Sequence, residues 1–122
     1  AGGGGVPVVR QGSALVGVEA VIDKDLASAV LGRAIGAELL IGITDVPRVY
    51  LNYGKLDQVE VGRLTPAEAR HHLAVGQLPP GSMGPKIEAT LEFLEGGGKR
   101  VVITDMDHVL EAVSGRAGTT VA

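Results

Sequence analysis

The 122 residues carry 14 acidic and 11 basic side chains, a net charge of −3, no cysteine and 19 glycines. No basic stripe is present, so a nucleic-acid polyanion is not an expected partner, and without cysteine there is no disulfide, no Cys-type zinc site and no thiol chemistry. Apolar residues make up 45% and aromatics 2%, which implies an aliphatic core in one ordinary domain, and no apolar run reaches the ~18–20 residues of a membrane span.

In chain order, Ala1-Gly2-Gly3-Gly4-Gly5 reads equally as a flexible linker or as a glycine loop entering the strand-like run Val6-Pro7-Val8-Val9. It has neither the basic region nor the apolar core of a signal peptide, and with the lack of cysteine this agrees with a cytoplasmic setting. Val16 to Ile22 is apolar and β-branched, as in a strand. Asp23 offers an N-cap, Leu26, Val30, Leu31 and Ile35 recur at helical spacing, and Gly36 stops the helix. Residues 38–44, ELLIGIT, suit a strand covered on both faces in a parallel sheet. Val49-Tyr50-Leu51 is a short strand turned by Asn52-Tyr53-Gly54. Thr65-Pro66-Ala67-Glu68 has the form of a capping box, opening a helix to about Val75. A second helix opens at Pro85 and ends at Gly96-Gly97-Gly98. Lys99 to Thr104 is another buried-strand pattern, Asp105 or Asp107 caps a short helix, and Thr119 to Val121 is a last strand. This alternation predicts an α/β fold, a mostly parallel sheet sandwiched by helices.

In open α/β sheets ligands sit beyond the carboxyl ends of strands, near helix N-termini. Four segments have that character: the glycine run with Gly3 and Gly4, Asp23-Lys24-Asp25, Thr44-Asp45, and Gly81-Ser82-Met83-Gly84-Pro85-Lys86. Lys86 falls in a first helical turn, where the macrodipole disfavours a cation. The misfit suggests that its charge serves a phosphate outside the helix. Lys24 is placed to reach phosphate and Asp25 to organise nearby lysines or a metal-bound nucleotide. Thr44 and Asp45 end a buried strand, within reach of ribose or adenine. Taken singly, each segment reads more plainly as a capped helix or a turn with a solvated lysine. Other motifs fail. Gly98-Lys99 is no Walker A loop, since a strand follows it. His71 and His72 are adjacent and diverge by about 100° on a helix. No protein ligand set for a metal is read from the sequence.

Together, Gly2-Gly3-Gly4-Gly5-Val6-Pro7-Val8, Val21-Ile22-Asp23-Lys24-Asp25, Thr44-Asp45-Val46, Val49-Tyr50-Leu51-Asn52-Tyr53-Gly54, Gly81-Ser82-Met83-Gly84-Pro85-Lys86 and Glu95-Gly96-Gly97-Gly98-Lys99-Arg100 resemble the carbamate kinase family, within the amino acid kinase group. The resemblance covers essentially the whole chain. It implies that residues 1–122 are the nucleotide-binding, C-terminal portion, the N-terminal carbamate-binding half being absent, and that the glycine start is native. It implies reversible phosphoryl transfer between ATP and carbamate, giving ADP and carbamoyl phosphate, with Mg²⁺ bridging phosphate oxygens. Lys24 and Lys86 would bind phosphates, and Asp25 would orient lysines. Gly81, Ser82, Met83 and Gly84 would line the nucleotide pocket, Met83 near adenine, with Thr44 and Asp45 as another wall. The intact protein would be a cytoplasmic homodimer acting in arginine breakdown, and the isolated portion inactive. One departure is Pro47-Arg48, where the family usually turns on Asp-Gly. The alternatives are a relative acting on acetylglutamate, uridylate or aspartate, which carries different residues at the two lysine motifs, and a non-catalytic nucleotide-binding module.

Overall fold

The computed structural model describes residues 5–79 and 81–122. The predicted nucleotide contacts of Gly3 and Gly4 lie outside them. Strands β1 (Val8–Gln11) and β2 (Ala14–Gly17) form an antiparallel hairpin, turned at Gly12 with φ +62°. The strand expected over 16–22 therefore stops at Gly17. Val18 N–H donates to the Pro7 carbonyl and closes the hairpin. Residues 18–23 have no ladder partner among the described residues, and an apolar run without one does not make a strand.

Helix α1 (Lys24–Ala34) starts where expected, because Asp23 Oδ1 accepts from the amides of Asp25 (2.8 Å) and Leu26 (2.9 Å). Gly36 ends it in the left-handed region, φ +67°. Its buried face is not the expected stripe. Leu26, Val30, Leu31 and Ile35 are exposed, and Ala29 and Gly32 are buried instead. Small residues win that face because they let the helix approach its neighbour closely. A Cβ on Gly32 would stand 2.8 Å from Phe93 Cε2.

Next come β3 (Leu39–Ile43), the antiparallel pair β4 (Val49–Leu51) and β5 (Val59–Val61), and β6 (Arg63–Leu64). Helix α2 (Pro66–Ala74) follows with the anticipated capping box. Thr65 Oγ1 accepts from Glu68 N–H at 3.2 Å, while a Glu68 carboxylate oxygen accepts from Thr65 N–H at 2.8 Å. Thr65→Ala removes the box and is expected to cost about 1 kcal/mol, read as a lower urea midpoint at unchanged m-value.

Helix α3 (Met83–Glu95) begins two residues before Pro85. The first-turn amides need no intrahelical partner, so a proline three places in is tolerated. Gly84 N–H donates to the Pro79 carbonyl at 2.8 Å. Then come β7 (Arg100–Thr104), α4 (Val109–Val113) and β8 (Thr119–Val121). Asp105 is not the N-cap of α4. His108 holds that position, and Asp105 Oδ1 accepts from its amide at 3.0 Å.

The main sheet runs β3-β7-β8-β6. The β3–β7 and β6–β8 pairs are parallel and β7–β8 is antiparallel, so the sheet is mixed. Helices α1 and α3 pack together and α3 packs on β7, with Ile87 and Phe93 of α3 fully buried in the same core as Val101 and Ile103 of β7. The core is aliphatic apart from Phe93, as composition implies. Strand β7 is almost wholly buried, whereas β3, at the sheet's edge, is only half-buried, against the expected cover on both faces. Among the described residues no helix is long and apolar enough to cross a membrane.

Candidate functional site

Two helix starts and one strand end meet at a single place. Asp23 fixes the first turn of α1, which sets Lys24 and Asp25 at its tip. Lys86 lies in the fourth position of α3, not in its first turn, so the dipole misfit inferred from sequence is smaller than supposed. What distinguishes Lys86 is burial: its side chain is 9% exposed. Thr90 Oγ1 donates to the Lys86 carbonyl at 2.8 Å.

The Lys86 ammonium donates to both carboxylate oxygens of Asp25, each at 3.1 Å, across 61 residues of chain. Lys24 Nζ lies 3.5 Å from Asp25 Oδ2 with its side chain 57% exposed. One carboxylate thus serves two ammonium groups, one sunk and one free to swing. Two ammonium groups and the carboxylates of Asp23 and Asp25 stand at the cleft, and it is the two ammonium groups that can meet an anion there. Ser82 makes no capping bond to α3, so no side chain closes that helix start.

Three hollows surround this group. A cleft of about 240 Å³ is lined by Asp23, Lys24, Asp25, Thr44, Gly81, Ser82, Pro85 and Lys86, among others. Beside it, a pocket of about 130 Å³ is formed by Thr44, Asp45, Val46, Tyr50, Tyr53, Pro79, Ser82 and Met83. A groove of about 230 Å³ runs from Lys86 and Asp25 along β3. Thr44 and Ser82 border both of the first two, so the charged cleft and the more apolar pocket are contiguous. The structure therefore gathers Lys24, Asp25, Lys86, Thr44, Asp45, Gly81, Ser82 and Met83 at one end of β3. Gly84 is set back from the lining of these hollows, where a Cβ would stand 3.3 Å from the Pro79 carbonyl oxygen.

Sequence reasoning did not assign Tyr50 and Tyr53 to the site. Both tyrosines of the chain are here, their ring centroids 5.8 Å apart. In a chain this poor in aromatics, that pairing around a turn was the available signal. Tyr50 Oη donates to Glu60 at 3.4 Å, and its pKa is raised, by burial first and by the Glu60 charge second. Ser28 was also passed over; its hydroxyl donates to the Lys24 carbonyl at 2.7 Å. His71 and His72 stand apart from the cleft, their rings 5.6 Å from each other, with His72 Nδ1 2.5 Å from Gln77 Oε1. Among the described residues no group of three or more His, Cys, Asp or Glu side chains converges to hold a metal ion.

A profile of the amino acid kinase family matches residues 2–105, and its span takes in every element of the cleft. The chain belongs to the amino acid kinase family. Within that family it is 52% identical to a carbamate kinase of Halobacterium salinarum and 49% identical to one of Thermoplasma acidophilum, over 98% of this chain and 39% of each relative. In structure it is similar to the carbamate kinase of Giardia lamblia bound to AMP-PNP, with TM-score 0.92 and 36% identity, over 97% of this chain and 37% of that one. This amino acid kinase chain thus spans about two fifths of the length of the curated relatives it matches.

Among the ion pairs outside the cleft lining is that of His108 with Asp105. His108 Nδ1 is 2.6 Å from Asp105 Oδ1, and that hydrogen bond, followed by the Asp105 charge, raises the His108 pKa above 6.5. A raised folded-state pKa means that the pair's contribution to stability is complete below the unfolded value and fades as pH climbs through the folded one. An NMR titration is expected to place the His108 midpoint above 6.5 and to return it to the ordinary value in Asp105→Asn.

Proposed function

We propose that these residues are the nucleotide-binding, C-terminal portion of a carbamate kinase, which transfers a phosphoryl group reversibly between ATP and carbamate to give ADP and carbamoyl phosphate. The observation that carries this reading is the convergence of Lys24 and Lys86 on Asp25 at the mouth of a cleft contiguous with a second pocket. Similarity to carbamate kinases along 98% of the chain supports the same reading.

In this reading the phosphates of ATP or ADP lie in the cleft against the two ammonium groups, and the base lies toward Met83, Thr44 and Asp45. Asp25 holds Lys86 extended into the cleft. Without it the buried amine would have no counter-charge and would fold back to escape the cost of desolvation. Lys24 is exposed enough to follow charge as it moves from the leaving oxygens to the transferred group. Phosphoryl transfer asks little covalent work of a protein. It depends on placement and on neutralising charge that spreads over the equatorial oxygens. Mg²⁺ would enter on the phosphate oxygens and add charge neutralisation there.

The carbamate-binding residues, in this reading, belong to the part of the polypeptide outside these residues. The 122-residue chain alone is then inactive, and the intact enzyme is a cytoplasmic homodimer of the arginine-breakdown type. ATP formation from carbamoyl phosphate and ADP tests this. The intact polypeptide is expected to turn over, and Lys86→Ala to lower kcat by about 10²–10³, the worth of one stabilising donor at the reacting charge. Substantial turnover by the 122 residues alone, or an intact polypeptide that makes no ATP, overturns the reading.

A further inference from the structure

We infer that Ser28 and Thr90 are positioning residues for the two site lysines: each hydroxyl holds the backbone turn that carries its own lysine, and together they fix where the Lys24 and Lys86 ammonium groups stand at the cleft. The inference rests on the proposal that these lysines serve phosphoryl transfer, and it adds what aims them.

The two helices carry the same device at the same place. In α1, Ser28 follows Lys24 by four residues, and its Oγ donates to the Lys24 carbonyl at 2.7 Å. In α3, Thr90 follows Lys86 by four residues, and its Oγ1 donates to the Lys86 carbonyl at 2.8 Å. Both side chains line the groove that Lys24, Asp25 and Lys86 also border. Layers along the contact of α1 with α3 therefore run in order from the tips. The Asp25–Lys86 ion pair comes first, the two hydroxyls about one turn in, and Gly32 against Phe93 about one turn further.

Packing alone does not ask for a hydroxyl at position 90. Thr90 is 1% exposed, among the buried Ile87, Ala89, Leu91 and Phe93 of its own helix. A valine there has nearly the same shape and brings no polar atom to satisfy. What the hydroxyl adds is a second donor on a carbonyl that the helix ladder already uses. Such back-bonding bends a helix at that turn, at a small cost in helix stability. The bend falls on the lysine itself. The close contact at Gly32, where a Cβ would stand 2.8 Å from Phe93 Cε2, seats the helices a turn away, so the bend is expressed at the tips. Lys86 is the more sensitive of the two. Its side chain is 9% exposed and bonded to Asp25, whereas Lys24 is 57% exposed and can swing to correct an error in its backbone. Ser28 also acts on Lys86, through Asp25 in the same first turn of α1.

Steady-state ATP formation from carbamoyl phosphate and ADP by the intact polypeptide, with urea denaturation of each variant alongside, tests this. Thr90→Val is expected to lower kcat about tenfold, since misplacing a reacting group by about 1 Å costs up to about a hundredfold. KM for ADP should change by less than about twofold, because the charge stays in the cleft and only its aim is lost. The urea midpoint of Thr90→Val should hold or rise. Thr90→Ser, which returns the hydroxyl without the methyl, should recover most of the kcat, and Ser28→Ala should lower it about threefold. Equal kcat in the wild type and Thr90→Val overturns the inference. So does a Thr90→Ser variant as slow as Thr90→Val, which would assign the loss to shape, and so does a loss of activity that tracks a lowered urea midpoint. Crystal structures of the intact wild type and Thr90→Val separate this inference from the kinase reading. The Lys86 ammonium is expected to move by about 0.5 Å or more relative to the Asp25 carboxylate. That movement in a polypeptide whose wild type makes no ATP overturns the kinase reading and upholds the positioning; full turnover with an unmoved ammonium does the reverse.

Discussion

Asp25→Ala is expected to destabilise the chain by about 3 kcal/mol, the lower part of the range for leaving one member of a buried ion pair uncompensated. The Lys86 side chain is 9% exposed and has both carboxylate oxygens of Asp25 at 3.1 Å. Removing the carboxylate strands the ammonium in a region where its charged form is poorly solvated. The penalty stays at the low end because Asp25 itself is 18% exposed, so water enters the space it leaves. Lys24 adds little to the balance, since a mostly exposed pair at 3.5 Å is worth under about 1 kcal/mol. Lys86→Met in the same background should recover most of the loss, because an apolar side chain of similar length removes the stranded charge. Urea denaturation of the two single variants and the double variant gives the coupling energy directly. A fully additive result would mean that the pair is not formed in solution.

Gly118→Ala is expected to be comparably severe, about 3 kcal/mol or more. Gly118 has φ +71°, which alone costs an alanine roughly 1–2 kcal/mol. An added Cβ would also lie 2.9 Å from the Ile103 carbonyl oxygen, 3.1 Å from Ala112 Cβ and 3.2 Å from Thr104 Cβ. Two of these neighbours sit on β7, the buried central strand, so the clash has no flexible side-chain end to absorb it, and overpacking adds about 1–3 kcal/mol. Thermal unfolding of Gly118→Ala beside Gly115→Ala separates the terms. Gly115 also has a positive φ, +79°, but nothing lies within 4 Å of its Cβ position, so its variant should show the backbone part alone.

The elements legible in the sequence were those whose signals are local. Asp23, Thr65 with Glu68, and the terminating Gly36 and Gly96 each act within one helical turn, and each helix boundary they marked lies within a residue or two of its place. The face of α1 was misread because periodicity shows only that an apolar stripe exists. Which face is buried depends on a partner, and Gly32 against Phe93 is a contact 61 residues apart. Strand β3 was judged from its apolar run as covered on both faces, but cover is a tertiary property that a local run cannot supply, and β3 stands half-buried at the sheet's edge. Only β7 pairs with it among the described residues. Lys24, Asp25 and Lys86 were chosen from two separate motifs, and their meeting was an expectation that no local signal could establish. The part played by Tyr50 and Tyr53 was hidden for the same reason, since the β4–β5 hairpin carries them to Pro79 and Met83 across sequence distance.

The account depends on the two ammonium groups acting together on a polyphosphate. Calorimetric titration of ADP into the intact polypeptide, and into its Lys86→Ala and Lys24→Ala variants, at low and at 0.5 M salt, tests this most directly. The account predicts saturable binding that each substitution weakens by at least about tenfold, with a shallower salt dependence in both variants, because each removes one charge facing the phosphates. Binding of equal strength and equal salt dependence in all three proteins would contradict it.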